Sequence, residues 1–219
     1  MPLLWKPSPK GVVSLSPAEE GKPIVRFRIK KDPNTDDSDE DVIPLPCYVV
    51  EEDPKIRVIR YKDWTVENEI QSVHVFRIWT PWVYFLAIDG LFAIVFAKGR
   101  LRGTHHQACY DAPLPNTTSA GSFWICTKGW VKSEDAALAV YERFWSTTFN
   151  VEINELEHHE YPRELLGGSC YWFTMMTAWH ELTRERKARK ISWIPLRNTL
   201  YDRGGPQMSL YDVACCMDR

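Results

Sequence analysis

The chain has 219 residues, 44% of them hydrophobic, and its 27 Lys and Arg are nearly balanced by 29 Asp and Glu. This apolar content, with 10 Trp, 9 Tyr and 9 Phe, is ample for a buried core and excludes an intrinsically disordered protein. The balanced charge gives no overall field for DNA, RNA or an anionic membrane. We therefore expect no direct nucleic-acid or membrane partner. The balanced total charge does not exclude a local basic patch.

The N-terminal region divides into three parts. Residues 1–22 contain four prolines and few periodic apolar positions, which predicts an extended arm. Residues 23–219 are expected to form one domain, beginning with a strand over Pro23 to Lys30, where apolar and polar residues alternate. Residues 32–41 include six acidic residues and predict a solvated acidic loop, with an acidic docking tail as the alternative.

The N-terminus and the cysteines indicate the compartment. The first residues lack the apolar stretch of a signal peptide, and the six cysteines are irregularly spaced. Both features predict reduced thiols in a cytoplasmic protein. The most apolar stretch, Trp82 to Ala97, is 16 residues long and is interrupted by Asp89-Gly90, so it is too short to span a bilayer.

The central region is rich in predicted strands, which cover residues 47–50, 56–61 and 73–79. Two further runs, VYFLAI and LFAIVFA, flank Asp89-Gly90. They predict a hairpin with a type I′ turn, because glycine accepts the positive φ that this turn requires. Both runs are apolar at nearly every position, so we expect both faces of this hairpin to be covered.

Helical periodicity begins after residue 130. Ser133 predicts the N-cap of a helix whose apolar positions recur as far as Phe149. A second helix is predicted from Ser169 to Arg189, with a stripe of Trp and Met, followed by a short strand over Ile191 to Leu196. Strands followed by helices predict an α+β domain.

The residues with the most chemical interest lie between the strands and the first helix. Asn116 follows a proline, and Cys126 ends an apolar run that enters a turn. A cysteine there can be reached by a partner, and Lys128 would lower the pKa of its thiol slightly. In thioester exchange the incoming group is already activated, so no strong local base is needed. Asn116 would then donate a hydrogen bond to the oxyanion. A structural thiol is the alternative for Cys126.

Other chemistries have weaker signals. His105, His106 and Cys109 could supply metal ligands, but no CxxC or HxxxH motif completes the set, so we expect no metal site. The chain also lacks the phosphate-binding loop, the dinucleotide-binding glycine motif, the nucleophile elbow and the zinc-protease motif. No cofactor is therefore expected.

Three blocks resemble a prokaryotic ubiquitin-conjugating-enzyme-like family, family D, which includes protein B of the PRTRC system. The blocks are TPWVYFLAIDGLFAIVFAKG, YDAPLPNTTSAGSFWICTKG and YERFWSTTFN. The first is similar to the family's paired strands, the second to its Asn, Gly and Cys order, and the third to its aromatic helix. The three blocks lie between residues 80 and 150, at 80–99, 110–129 and 141–150.

The resemblance implies a specific fold and activity. The fold would be an antiparallel β-meander flanked by helices, here with an N-terminal strand-rich extension. Cys126 would receive a ubiquitin-like modifier as a thioester from a ThiF-like activating enzyme, in a bacterial or phage conjugation system. Asn116 would assist this transfer. The subunit itself would bind no metal and no nucleotide.

Two departures from the wider conjugating-enzyme pattern keep other interpretations open. The tripeptide here is Leu114-Pro115-Asn116, without the usual histidine, and Cys126 follows Asn116 by ten positions, which is longer than usual. One alternative is an inactive scaffold or binding module built on the same fold. Another is an accessory protein of a plasmid or phage cassette.

Overall fold

The computed structural model of the chain describes residues 24–28, 46–63, 72–88, 90–101, 107–117, 125, 131–150, 162–166, 172–197 and 206–217. They form the strands β1 (Ile24–Arg28), β2 (Pro46–Glu52), β3 (Lys55–Asp63), β4 (Ser72–Thr80), β5 (Trp82–Ile88), β6 (Leu91–Ala97) and β7 (Thr148–Phe149). The α-helices are α1 (Glu134–Ser146), α2 (Arg163–Leu166), α3 (Trp172–Arg184) and α4 (Leu210–Met217). The predicted arm over residues 1–22 and acidic loop over 32–41 lie outside the described residues.

The main sheet has four antiparallel strands in the order β1-β2-β5-β6. Its strands follow one another as in a meander, except that β3 and β4 are inserted between β2 and β5. The hairpin of β5 and β6 is confirmed, with Ile88 opposite Leu91 and Gly90 at a φ of 90°. The N-terminal region is strand-rich, as predicted, and contributes β1 and β2. Both strands belong to the main sheet, because β2 pairs along its length with β5 and β1 pairs with β2.

Two buried clusters cover the two faces of the β5–β6 hairpin, as its continuous apolar pattern predicts. On one face Phe85 and Ile94 pack with side chains from α1 and α3. On the other face Leu86 and Val95 pack with side chains from α4. Helix α4 was not predicted from the sequence. The signal for it was a capping box, in which Ser209 and Asp212 exchange hydrogen bonds.

The second sheet has the order β4-β3-β7. Strands β3 and β4 form a long antiparallel hairpin, and the short β7 pairs with β3 in parallel. Helix α3 lies against β4, where His180 Nδ1 accepts from Arg77 N–H at 2.9 Å and Thr183 Oγ1 accepts from Trp79 N–H at 2.8 Å. The three predicted strands over 47–50, 56–61 and 73–79 are confirmed as the cores of β2, β3 and β4.

The helices begin near their predicted starts but end differently. Ser133 is confirmed as the N-cap of α1, accepting from Ala136 N–H, yet α1 ends at Ser146 and Phe149 belongs to β7. Helix α3 ends at Arg184, not at Arg189 as predicted. A Schellman motif closes it, with Lys187 N–H bonded to the Leu182 carbonyl and Arg186 N–H to the Thr183 carbonyl. Arg186 takes the left-handed position at a φ of 60°, which glycine usually fills.

The predicted strand over Ile191 to Leu196 is wrong. Within this segment Pro195 forms an isolated bridge to Tyr110. Its two hydrogen bonds use the Ile194 carbonyl and the Leu196 N–H, and the proline has no N–H to offer a strand on its other side, so no ladder forms. No helix within the described ranges is long and apolar enough to cross a membrane.

Candidate active site

The segment after β6, residues 107–117, carries Asn116, one of the two predicted site residues. Its backbone is tied to the sheet at Tyr110, which exchanges hydrogen bonds with Phe96 at 2.8 and 2.9 Å. On the other side Asp111 N–H donates to the Ile194 carbonyl at 2.9 Å. All the residues from 109 to 115 are buried. The chain therefore reaches Asn116 as a fixed, buried segment, and not as a surface loop.

Asn116 lies at a tight turn. The N–H and the hydroxyl of Thr117 both donate to the carbonyl of Leu114, at 3.3 and 2.6 Å. The backbone of Asn116 has a φ of 70°, in the left-handed region. Asparagine tolerates this region better than other residues with a Cβ, because its short amide can bond locally. Asparagine therefore suits the backbone conformation at this position, and it also suits a chemical role.

The side chain of Asn116 is anchored by its oxygen. Its Oδ1 accepts a hydrogen bond from the backbone N–H of Asn150 at 3.1 Å. An amide has its acceptor on one branch and its two N–H donors on the other, so this bond fixes which branch carries the donors. The anchored oxygen therefore leaves the NH₂ branch as the part of Asn116 suited to another acceptor.

Ile125, the residue before Cys126 in the chain, lies beside the same turn. Ile125 forms an antiparallel bridge with Thr117, and its N–H donates to the carbonyl of Phe92 in β6 at 2.9 Å. Its side chain is 7% exposed. The two positions that bound residues 118–124 are therefore held side by side at the start of β6.

Cys126 itself lies outside the described residues, as do Gly121 and Lys128. The described cysteine nearest to it in sequence, Cys109, is fully buried, and its thiol lies 3.6 Å from the carbonyl of Gln107. Burial, followed by the charge of Asp212, raises the pKa of Cys109 well above that of a free thiol. Cys109 is therefore a structural thiol with little thiolate at neutral pH.

Asn150, the anchor of Asn116, was not predicted as a site residue. It follows β7, which begins directly after Thr147 ends α1 with an N–H bond to the Arg143 carbonyl. Phe149 is fully buried, with its ring centroid 5.2 Å from that of Phe144. The two asparagines are 34 residues apart in sequence, and no spacing rule connects them.

A buried ionic cluster, the Arg57 cluster, joins α1 to both sheets. The Arg57 guanidinium pairs with Glu52 and donates to the hydroxyls of Tyr141 at 2.7 Å and Thr80 at 3.2 Å. Tyr141 also donates to Glu52, and the ring centroid of Trp145 lies 3.7 Å from the guanidinium carbon. Burial lowers the pKa of Arg57 to about 10 and raises that of Tyr141 to about 12. Arg57 is thus charged and Tyr141 neutral at pH 7, which suits a structural role.

Metal ligands do not converge in the described part of the chain, where no group of three or more His, Cys, Asp or Glu could hold an ion. The sequence candidates His105 and His106 lie outside the described residues. Cys109, the third candidate, is fully buried, and its thiol donates to the carbonyl of Gln107.

Comparison with known proteins assigns no family to this chain. No protein-family model, no curated protein and no solved structure matches this chain. The fold is α+β, with sheets that are mostly antiparallel. Membership of the conjugating-enzyme-like family therefore stays a prediction made from the residues of blocks 80–99, 110–129 and 141–150.

Proposed function

We propose that the protein carries a ubiquitin-like modifier as a thioester on Cys126, with Asn116 donating a hydrogen bond to the oxyanion. The observation that carries this proposal is the bridge between Thr117 and Ile125. Cys126 is bonded to Ile125, so their Cα atoms are about 3.8 Å apart. Asn116 adjoins Thr117 in the same way, so the bridge brings the chain neighbours Asn116 and Cys126 to one side of the same turn.

The proposed chemistry is two successive acyl transfers. The Cys126 thiolate attacks the thioester carbonyl that the modifier forms with a ThiF-like activating enzyme, and the thiolate of that enzyme leaves. A neutral acceptor amine then attacks the new thioester, the C–S bond breaks, the Cys126 thiolate leaves, and the amine nitrogen loses one proton to water. Each attack places negative charge on the carbonyl oxygen, where the NH₂ branch of Asn116 would donate. No metal or nucleotide is required, because the acyl group arrives activated.

The absence of a histidine before Pro115 is compatible with this proposal. Leu114 takes that position and is fully buried. Its carbonyl accepts both bonds from Thr117, at 3.3 and 2.6 Å, so the turn is closed without an imidazole. Positioning of Asn116 in this chain depends on Thr117 and Asn150 instead.

The topology around the site also supports a conjugating-enzyme-like fold. Four antiparallel strands follow chain order in the main sheet, the Asn116 segment comes directly after the last of them, and α1 follows. The inserted β3–β4 hairpin would be a feature of this chain. A binding module is the second candidate, favoured by the exposed aliphatic side chains on that hairpin.

A charging reaction tests the proposed function. The protein would be mixed with a ThiF-like enzyme, its ubiquitin-like protein and ATP, and separated on gels with and without reductant. We expect an adduct that dithiothreitol removes and that Cys126→Ala abolishes. Cys109→Ala is the matched control and should retain the adduct, because the Cys109 thiol is buried. If the activating enzyme becomes charged but this protein does not, the carrier function is wrong and the binding module is favoured.

A further inference from the structure

The β3–β4 hairpin has an outer face that combines exposed aliphatic and basic side chains. Alternate residues of each strand point to this face, and the inward ones, such as Ile59 and Ile78, are fully buried. The exposed aliphatic residues are Val58 (60%), Val75 (58%), Val73 (56%) and Ile56 (48%). The outer face is defined by Ile56, Val58, Arg60, Lys62, Val73, Val75, Arg77 and Trp79.

Strand register makes these side chains one continuous surface. Val58 lies opposite Arg77 and Arg60 lies opposite Val75, so each valine in the middle of the face has an arginine beside it across the strands. Side chains directly opposite one another in an antiparallel pair have Cβ atoms about 4.5–5.5 Å apart. The aliphatic groups therefore form a band edged with cations, and are not isolated surface residues.

The charge of the outer face is positive, although the whole chain is near neutral. Among the described residues, no carboxylate forms an ion pair with Arg60 or Arg77. At one end of the face, Ile56 and Trp79 line a cleft of about 420 Å³. Three basic residues, Lys55, Arg186 and Arg189, also line this cleft, and none of its described lining residues is acidic, although Lys55 pairs with Glu52 outside the cleft lining.

The exposed edge of the hairpin is less suited to a partner than its face. Toward the Trp79 end, the N–H groups of Arg77 and Trp79 are already bonded to side chains of α3. A partner segment could not use these donors to add a strand. Trp79, at one end and half-buried, is the one aromatic residue among those that define the outer face, whereas single-stranded nucleic acids bind to a series of aromatic rings on which successive bases stack. A protein surface is therefore a better match than an oligonucleotide.

We propose that the outer face binds a protein partner whose contacting segment carries aliphatic side chains flanked by carboxylates. Contiguous exposed apolar surface rimmed by charge is typical of interaction sites. Opposite charges at the rim set the choice of partner and the rate of encounter more than the affinity. The inference uses no part of the Cys126 loop, so it holds or fails separately from thioester carriage.

Three short synthetic peptides test this proposal on the full-length protein. One alternates Val or Ile with Glu, the second replaces every Glu by Lys, and the third replaces every aliphatic residue by Ser. Binding would be followed by fluorescence anisotropy and by the methyl ¹³C signals of Val58 and Val75. We expect only the Glu–aliphatic peptide to bind and to shift these signals. The double variant Arg60→Glu, Arg77→Glu should weaken this binding at least about tenfold and favour the Lys peptide.

Control experiments distinguish the proposed protein partner from an oligonucleotide and from a second copy of the chain. Arg143→Glu, on the exposed side of α1, should leave peptide binding unchanged. Equal binding of the Glu and Lys peptides, or no shift of the two valine signals, would overturn the proposal. So would tighter binding of oligothymidylate than of the Glu–aliphatic peptide at the same residues. Self-association in sedimentation that Val58→Lys abolishes would show that a second copy of the chain covers the face instead.

Discussion

Replacing Asn116 by Asp is expected to slow acyl transfer to and from Cys126 by about 10²–10³-fold while the fold stays intact. Aspartate keeps an oxygen that can accept from the Asn150 N–H, and it tolerates the left-handed backbone found at this position. It removes both N–H donors and adds a negative charge that opposes the developing oxyanion. The rate would be measured as single-turnover discharge of a preformed thioester to hydroxylamine, followed on non-reducing gels.

Two further measurements show whether slower discharge by Asn116→Asp comes from the lost N–H donors or from a damaged fold. The thermal midpoint of the variant should match that of the wild type, because the anchoring bond to Asn150 is preserved. Thr148→Ala, an exposed change in neighbouring β7, should discharge at the wild-type rate. Discharge of Asn116→Asp within about threefold of the wild-type rate would contradict the role of Asn116 as oxyanion donor.

Replacing Arg57 by Met is expected to lower the free energy of unfolding by about 3 kcal/mol. The change leaves Glu52 and Tyr141 without the guanidinium that lies between them, and removes the cation that faces the Trp145 ring. Glu52 then keeps only the half-exposed Lys55 as an ionic partner, and removing a buried cation from an ion pair costs more than removing one member of a surface pair. Urea unfolding followed by tryptophan fluorescence would give the difference.

Arg60→Met is the matched control for Arg57→Met. Arg60 lies on the same strand but on its exposed face, so its replacement should change stability by less than about 0.5 kcal/mol. Adding Glu52→Gln to Arg57→Met should recover part of the lost stability, because the partly buried carboxylate that lost the guanidinium is then replaced by a neutral amide. If Arg57→Met and Arg60→Met are equally stable, the Arg57 cluster does not hold α1 to the sheets.

The elements that sequence predicted well have strong local signals. Asp89-Gly90 between two apolar runs marked the β5–β6 hairpin, and Ser133 marked the start of α1. Both signals act over a few residues, so no knowledge of the rest of the fold is needed to read them. The Trp and Met stripe of α3 was also read correctly, since Trp172, Met175, Met176 and Trp179 are buried.

The features that sequence missed depend on contacts between distant segments. Pairing of β2 with β5 across the inserted hairpin is set by the three-dimensional arrangement, and a two-residue strand such as β7 has too little pattern to detect. The end of α3 was misplaced because an arginine, Arg186, fills the left-handed position that sequence rules assign to glycine. For the candidate site, Asn116 was identified from its motif, but its anchor Asn150 was not, because the bond joins two separate elements.

An engineered disulfide tests most directly whether Asn116 and Cys126 form one site. Asn116→Cys would be introduced into the Cys109→Ala protein, oxidised mildly, and mapped by mass spectrometry of non-reduced peptides. Thr148→Cys in the same background, with its thiol on exposed β7, serves as the control and should not cross-link to residue 126. We predict a disulfide between positions 116 and 126, because the Thr117–Ile125 bridge brings their chain neighbours together, and a disulfide forms only where two Cα atoms come within about 4.4–6.8 Å. An introduced thiol at position 116 that stays fully open to alkylation, with no bond to Cys126, would contradict it.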